Sequence, residues 1–190
     1  QVRQLICGNQ VTAILMEDGT IYAWGNDGLS ATNLSSVIKH GKKESPLVKL
    51  TFTNDGIYGI DENGDFVCGK STKYNIISVP DESGCSVSTD LFEYIGDRKV
   101  VDIAASGNAL ALVLDDGEIV VSGMKEPQPQ LLEGENALTV SGGTRHFVLT
   151  TDQGRVYAWG QNYRNQCEIP EALTKEDAVD RVYASGFQNY

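Results

Sequence analysis

Few side chains in this sequence could do catalytic or metal chemistry, and their neighbours account for most of them. The soft or titratable ligands are two histidines, His40 and His146, and four cysteines, Cys7, Cys68, Cys85 and Cys167. No Cys-x-x-Cys occurs and no metal-type spacing joins these residues, so neither a metal nor a cofactor is expected. Free thiols in a reducing compartment are the simplest reading of the cysteines, with a disulfide left open because sequence alone excludes no pair. His146 has the chemistry of a general base, yet no serine or cysteine nucleophile can be paired with it, and a satisfied strand-end histidine is the better account. Asp18, Asp116 and Asp152 sit in glycine-containing turns, where aspartate is a turn former before it is an acid or base. Gly142-Gly143 lacks the downstream Lys-Ser/Thr of a phosphate loop. Trp24 and Trp159 fall at the same phase of matching strands, which makes them core residues before they are ligand stackers. This chemistry points away from an enzyme.

The elements that carry these residues repeat. RHFVLTTDQGRVYAWG at 145–160 matches VTAILMEDGTIYAWG at 11–25 and LALVLDDGEIVVSG at 110–123, and GIYGIDENGDFVCG at 56–69 is a worn copy. Each is an apolar run, a turn and a second apolar run. Asp18-Gly19, Asn63-Gly64 and Asp116-Gly117 suit two-residue hairpin turns, whereas Asp152-Gln153-Gly154 suggests a longer one. A further strand ending in glycine precedes three copies, and DRVYASG near the end begins another. Equivalent turn glycines lie 45, 53 and 37 residues apart. Such periods, built from short strands, are those of propeller blades, whose small sheets bury both faces only by stacking. Neither face of Ile21-Tyr22-Ala23-Trp24 or Val156-Tyr157-Ala158-Trp159 is polar, as that stacking requires.

The repeats run approximately over 1–46, 47–99, 100–136 and 137–179, with the start of a next one at 180–190, in a single partial propeller domain. Residue 1 is Gln, and four repeats with one extra strand would leave a ring open, so a piece of a longer protein is the favoured reading. Residues 39–43, Lys-His-Gly-Lys-Lys, read as a solvated loop, with a small nuclear-import or phosphate patch as the alternative. The long segment 70–98 is a natural carrier of a binding site or a drifted insertion. Within it residues 91–95 read as a short outer strand or an apolar plug, and residues 174–177 as the cap of a short helical turn.

Composition restricts the partners. Hydrophobic residues make up 41% and charged residues 22%, ordinary for a globular chain. Fifteen basic against 26 acidic residues give a net charge of −11, which repels phosphate backbones and anionic membrane surfaces. No apolar run approaches the roughly 20 residues of a membrane helix, and no signal peptide stands at the N-terminus. An intracellular protein, cytoplasmic or nuclear, is the expectation.

A strand ending in glycine, then an apolar strand, Asp-Gly and Val-Tyr-Ala-Trp-Gly-x-Asn, resembles the repeat of the regulator of chromosome condensation family. The best match is 140–166, with Gly143, His146 three residues later, Trp159-Gly160, Asn162 and Gln166. The first repeat keeps Ala-Trp-Gly-Asn but has Val11 at the histidine position; in the third Leu110 stands there and Ser122-Gly123 replaces Trp-Gly, and in the second Cys68-Gly69 does. The resemblance implies an all-β propeller, usually seven-bladed in this family, of which about four blades are present. It implies a binding platform: a scaffold or substrate-recognition module, as in ubiquitin ligases, or alternatively a guanine-nucleotide exchange factor for a small GTPase. It also implies a role for the Gly-x-x-His element, which only Gly143 to His146 offers here. The founding member's basic chromatin-binding segments have no counterpart in this acidic chain.

Strand interiors in a propeller are committed to packing, so recognition falls to the residues after each strand-end glycine. Those are Asn9, Gln10, Asn108, Thr144, Arg145, His146, Phe187 and Gln188. Arg145, His146 and Phe187 stand out, because arginine and exposed aromatics most often anchor protein interfaces. The alternative is that all are ordinary loop ends. Segment 70–98 is the next choice.

Overall fold

Every one of the four hairpins is closed by the same turn. Glycine N–H donates to the carbonyl three residues back in Gly19 to Met16, Gly64 to Asp61, Gly117 to Leu114 and Gly154 to Thr151, each at 3.0 Å. The four glycines have φ between 73° and 81°. Closing bonds from Asp61, Leu114 and Thr151 N–H to the carbonyls of Asp65, Glu118 and Arg155 leave three residues in the loop. This is a three-residue hairpin with a left-handed glycine; it corrects the expectation of two-residue turns in the first three copies and agrees with the longer turn expected in the fourth. The residue before the glycine is free to vary, so Asp-Gly and Gln-Gly build one geometry. Asp18 accepts from Thr20 N–H at 2.9 Å and Asp116 from Glu118 N–H at 3.0 Å, the turn-forming role their positions suggest.

The computed structural model describes residues 1–7, 11–26, 33–39, 45–53, 56–72, 75–79, 89–175, 179–186 and 188–189. Two units divide the chain, Gln1–Lys99 and Val100–Tyr190. The first holds two antiparallel sheets with strands in chain order: β1 (Val2–Cys7), β2 (Val11–Met16), β3 (Thr20–Asn26) and β4 (Asn33–Lys39), then β5 (Leu47–Phe52), β6 (Ile57–Asp61), β7 (Phe66–Thr72) and β8 (Asn75–Val79). The second holds β9 (Val100–Ser106), β10 (Ala109–Leu114) and β11 (Ile119–Ser122), then β12 (Ala137–Gly142), β13 (His146–Thr151) and β14 (Val156–Gly160), and a short ribbon of β15 (Ala184–Ser185) with β16 (Gln188–Asn189). The chain is therefore all-β, with the four repeated hairpins as β2–β3, β6–β7, β10–β11 and β13–β14 in four separate sheets.

Within each unit, consecutive sheets pack through small and branched side chains. Ile6, Ala13, Leu15, Ile21 and Ala23 of the first sheet meet Leu47, Leu50 and Ile57 of the second. Ala104, Ala109, Ala111, Val113 and Ile119 of the third meet Val140, Phe147, Leu149 and Trp159 of the fourth. The middle strands β10 and β13 are buried along their whole length, on both faces, which explains the apolar or β-branched runs Ala109–Leu114 and Phe147–Thr151.

Two local expectations are corrected. Residues 91–95 lie in a helix, α1 (Thr89–Ile95), not a strand. Leu91 and Ile95, four apart, fall on one helical face and are 5% and 6% exposed, so the segment plugs as the apolar pattern allows but with helical period. Phe92 packs on Phe66 at 5.2 Å between ring centroids. A 3-10 turn spans Glu171–Leu173 after Pro170, so Thr174 ends a helical turn where the sequence suggested it would begin one. Cys68 is disulfide-bonded, against the free-thiol reading, whereas Cys7 and Cys167 are free. Of the basic cluster, residues 40–43 lie outside the described residues.

Candidate functional site

The strand-end turns of the second unit form a continuous row. Gly107 of the β9–β10 turn lies so close to the β12–β13 turn that a Cβ on it would stand 3.4 Å from the Thr144 carbonyl oxygen. Thr144 N–H in turn donates to the Gly186 carbonyl at 2.6 Å, tying the β12–β13 turn to the β15–β16 turn. Ala184 N–H donates to Ser141 Oγ at 3.0 Å beneath them. Three of the loops that repeat position singles out are thus neighbours in space. Asn108, Thr144 and Arg145 are exposed along the row.

Glycines at the ends of the second hairpin strands hold these residues up. A Cβ on Gly123 would come 2.7 Å from the Asn108 carbonyl oxygen, and one on Gly160 would come 2.6 Å from that of Arg145. The pairing of β13 with β14 places His146 opposite Gly160, with Arg145 just beyond it; β10 pairs Leu110 with Ser122, so Ala109 lies opposite Gly123. Ala109, not Leu110, therefore occupies the histidine position of the third repeat: Ser106 pairs with Ala109 as Gly143 bonds with His146, so Gly107 lies one place later in its turn than Gly143 does. Asn108 and Arg145 are the equivalent exposed residues. The glycine of Trp-Gly in one repeat and Ser-Gly in the other buttresses the same point.

His146 does not join Arg145 on the surface. It is 0% exposed, and its ring lies over Gly143, where an added Cβ would fall 2.1 Å from Cε1. Gly-x-x-His is a packing unit in this chain: the glycine makes room, the imidazole fills it, and Gly143 N–H donates to the His146 carbonyl at 2.9 Å. Asn9, Gln10 and Phe187 lie outside the described residues. Gln188 pairs with Ser185 in the last ribbon, next to the row. Residues 73–74 and 80–88 of segment 70–98 also lie outside the described residues.

A second grouping of titratable groups lies at the hairpin-turn end of the fourth sheet. Glu135, whose side chain is 0% exposed, accepts from Arg155 at 2.7 Å, Tyr157 Oη at 2.5 Å, Leu132 N–H at 2.9 Å and Thr151 Oγ1 at 3.2 Å. Burial pushes its carboxyl up, but the hydrogen bonds, led by Tyr157 and Arg155, outweigh it and hold the group below the ordinary carboxylate value. Burial, reinforced by Glu135, pushes the Tyr157 hydroxyl up. These oxygens are committed to tying residues 131–135 to β13 and β14, and the arrangement is structural. Asp152 also does more than shape its turn: it accepts from Asn136 N–H at 3.0 Å and from Asn136 Nδ2 at 2.8 Å, fixing the entry to β12. Those backbone and side-chain bonds hold its carboxyl below the ordinary value.

One polar pair escaped the sequence reading. Gln4 exchanges two hydrogen bonds with the Leu50 backbone, at 3.1 and 2.8 Å, and Asp102 accepts from Val140 N–H at 2.8 Å. Gln4 and Asp102 pair with Leu15 and Val113, which hold the same place before their hairpin turns, so the two occupy one repeat position. Each staples its sheet to the next strand. The available signal was a polar residue recurring at one phase of an apolar strand.

The model of the regulator of chromosome condensation (RCC1) repeat matches residues 138–166. The RCC1-like G exchanging factor-like protein of mouse is 26% identical over 196 residues, covering 86% of this chain and 42% of that protein. The human E3 ubiquitin-protein ligase HERC2 is 22% identical over 202 residues, covering 90% of this chain and 4% of its own length. Among solved structures, that of yeast RCC1 (Prp20) with Kap60 bound superposes with a TM-score of 0.67 at 17% identity, over 98% of this chain and 52% of that one. The chain thus spans less than half of the curated relatives it matches.

Proposed function

Because this chain is built of regulator of chromosome condensation repeats, about four of them folded as blades of a β-propeller, we propose that it is a protein-binding module, a scaffold or substrate-recognition unit, and not an enzyme. The observation that supports this most directly is the row of strand-end turns, in which Asn108, Thr144 and Arg145 are exposed on backbone pinned from below by Gly123 and Gly160. Recognition through it needs no reacting group. A guanidinium on a rigid turn, flanked by short polar side chains, suits anchoring of a protein partner. The net charge of −11 argues against nucleic acid as that partner, and among the described residues no helix is long and apolar enough to cross a membrane. We take the chain as one partial propeller domain with repeats at 1–46, 47–99, 100–136 and 137–179. An intracellular location fits the free Cys7 and Cys167, whereas the Cys68 disulfide favours an oxidising compartment. Mass measured without reduction on protein from its native source decides between them.

The test is affinity capture from the native source with wild type and with an Asn108→Ala, Arg145→Glu variant of unchanged melting temperature. A specific partner held by wild type should be lost from the variant, and its full retention would move the site elsewhere, first to segment 70–98. The mouse relative's name supports a second reading, nucleotide exchange on a small GTPase. That activity would work by stabilising the nucleotide-free partner, and release of a fluorescent nucleotide from candidate GTPases, unaccelerated by this chain, would exclude it.

A further inference from the structure

The third sheet is one strand short of the first two. In those, the outer edge of the second hairpin strand is covered: β4 pairs with β3 from Thr20↔Lys39 to Asn26↔Asn33, and β8 pairs with β7 from Cys68↔Val79 to Thr72↔Asn75. The equivalent strand β11 pairs with β10 and with no other strand among the described residues. Leu114 N–H bonds to the Glu118 carbonyl at 2.9 Å. Hydrogen-bonded pairs alternate along an antiparallel ladder, so Val120 and Ser122 also face β10, while Ile119 and Val121 turn their N–H and C=O outward. Gln128 Nε2 donates to the Ile119 carbonyl at 2.9 Å, the position where a neighbouring strand would donate.

The chain after β11 does not supply that strand. Pro127 and Pro129 lack N–H groups and cannot continue a ladder. Their segment stands away from β11 and leaves a groove of about 1010 Å³ along the edge, lined by both outward-facing residues, Ile119 and Val121, and by Met124 and Leu131. Ile119 is buried in the core, and the other three pack against it. Four carboxylates line the groove, Asp116, Glu118, Glu126 and Glu135, against the one positive charge of Lys125, and Glu135 is paired with Arg155.

From this edge, groove and charge we infer that the third blade binds an extended peptide segment of another protein as its fourth strand, with apolar residues at alternate positions and lysine or arginine between them. Main-chain bonds to Ile119 and Val121 set the register. Peptide side chains in phase with these two residues extend the apolar cluster, and those between them meet the carboxylates. A second copy of this chain is the wrong occupant, because it carries the same acidic edge and a net charge of −11. The surface does not depend on the strand-end turns, so Arg145→Ala should leave it intact.

The probe is a fluorescein-labelled peptide of alternating valine and lysine, roughly seven residues long to span the short edge, titrated into the 190-residue chain by fluorescence anisotropy. Binding should weaken as salt is raised and should weaken at least about tenfold when glutamate replaces lysine. It should also fall at least about tenfold when the peptide is N-methylated on the residues facing β11, or when Val121 is changed to Pro at unchanged melting temperature. Hydrogen exchange at the Val121 amide should slow in the complex. Absence of binding would overturn the proposal, as would equal binding of the N-methylated peptide, a test that stands even if Val121→Pro does not fold. Self-association abolished by Val121→Pro would assign the edge to a second copy instead.

Discussion

Trp24 and Trp159 stand in the same four residues, Tyr-Ala-Trp-Gly, at the same phase of equivalent strands, yet the first is 44% exposed and the second 5%. Their cross-strand partners differ: Thr12 lies opposite Trp24, whereas Phe147 lies opposite Trp159, with ring centroids 5.3 Å apart. Their surroundings differ more. Trp159 belongs to a cluster with Ala104, Ala109, Ala111 and Val113 of the preceding sheet. The first sheet buries Ile6, Ala13, Leu15, Ile21 and Ala23 against β5, but on its other face Leu5, Tyr22 and Trp24 are exposed at 64%, 42% and 44%. Leu50 and Val140, in the second sheet of each unit, hold the repeat position of Leu5 and are 2% and 4% exposed. A repeat's sequence prepares both faces for burial; a neighbouring sheet determines whether burial happens.

The largest test of this contrast is truncation. Trp159→Ala should cost about 3–5 kcal/mol by removing a buried aromatic, and Trp24→Ala under about 1 kcal/mol, since surface changes alter stability little. Urea unfolding of both variants measures the difference, and equal costs would show that Trp24 is covered in solution.

Ion pairs divide the two units in the same way. Glu135 and Arg155 are 0% and 16% exposed at 2.7 Å, whereas Arg3 and Glu62 are 32% and 50% exposed at 3.7 Å. Glu135→Gln should destabilise by about 2–3 kcal/mol at neutral pH, because a buried charged acceptor is lost. The folded carboxyl titrates below the ordinary value of 4.5, so its contribution is complete above that pH and is lost as pH falls through the folded value. The gap between wild type and variant should therefore close on acidification, which thermal melts at several pH values would record. A gap that persisted at low pH would assign the loss to packing.

Backbone contact sharpens the comparison further. Gly160→Ala meets both a left-handed φ of 114° and the Arg145 carbonyl at 2.6 Å. Gly134 has φ 83° with nothing within 4 Å of a Cβ. The conformation alone costs about 1–2 kcal/mol, so Gly134→Ala should lose that much and Gly160→Ala more, along with any partner binding that depends on Arg145. Least of all, Arg3→Ala should change stability by under about 0.5 kcal/mol, as exposed pairs do.

The amino-acid pattern alone carried the hairpins, their repeat and the all-β class, because two-residue periodicity and a glycine that must take positive φ are local requirements. It also located Asn108, Thr144 and Arg145 at strand ends. It did not carry the length of the first three turns, since the residue before the glycine, Asp18, Asn63, Asp116 or Gln153, varies within one geometry. Nor did it carry the helical state of 91–95, where Leu91 and Ile95 suit either period and the folded helix buries both while Phe92 packs on Phe66. His146 and Arg145 are adjacent in sequence and read alike as surface candidates; only the tertiary structure sends one over Gly143 and the other outward. Gln4, Asp102 and Glu135 show the same limit, because a polar residue becomes a staple only when folding brings its partner, 46, 38 or 20 residues away, within hydrogen-bond reach. Local sequence determined what each element could be, and the neighbouring sheet decided which face, turn or charge it would use, since burial and hydrogen-bond satisfaction belong to the assembled sheets and to no single strand.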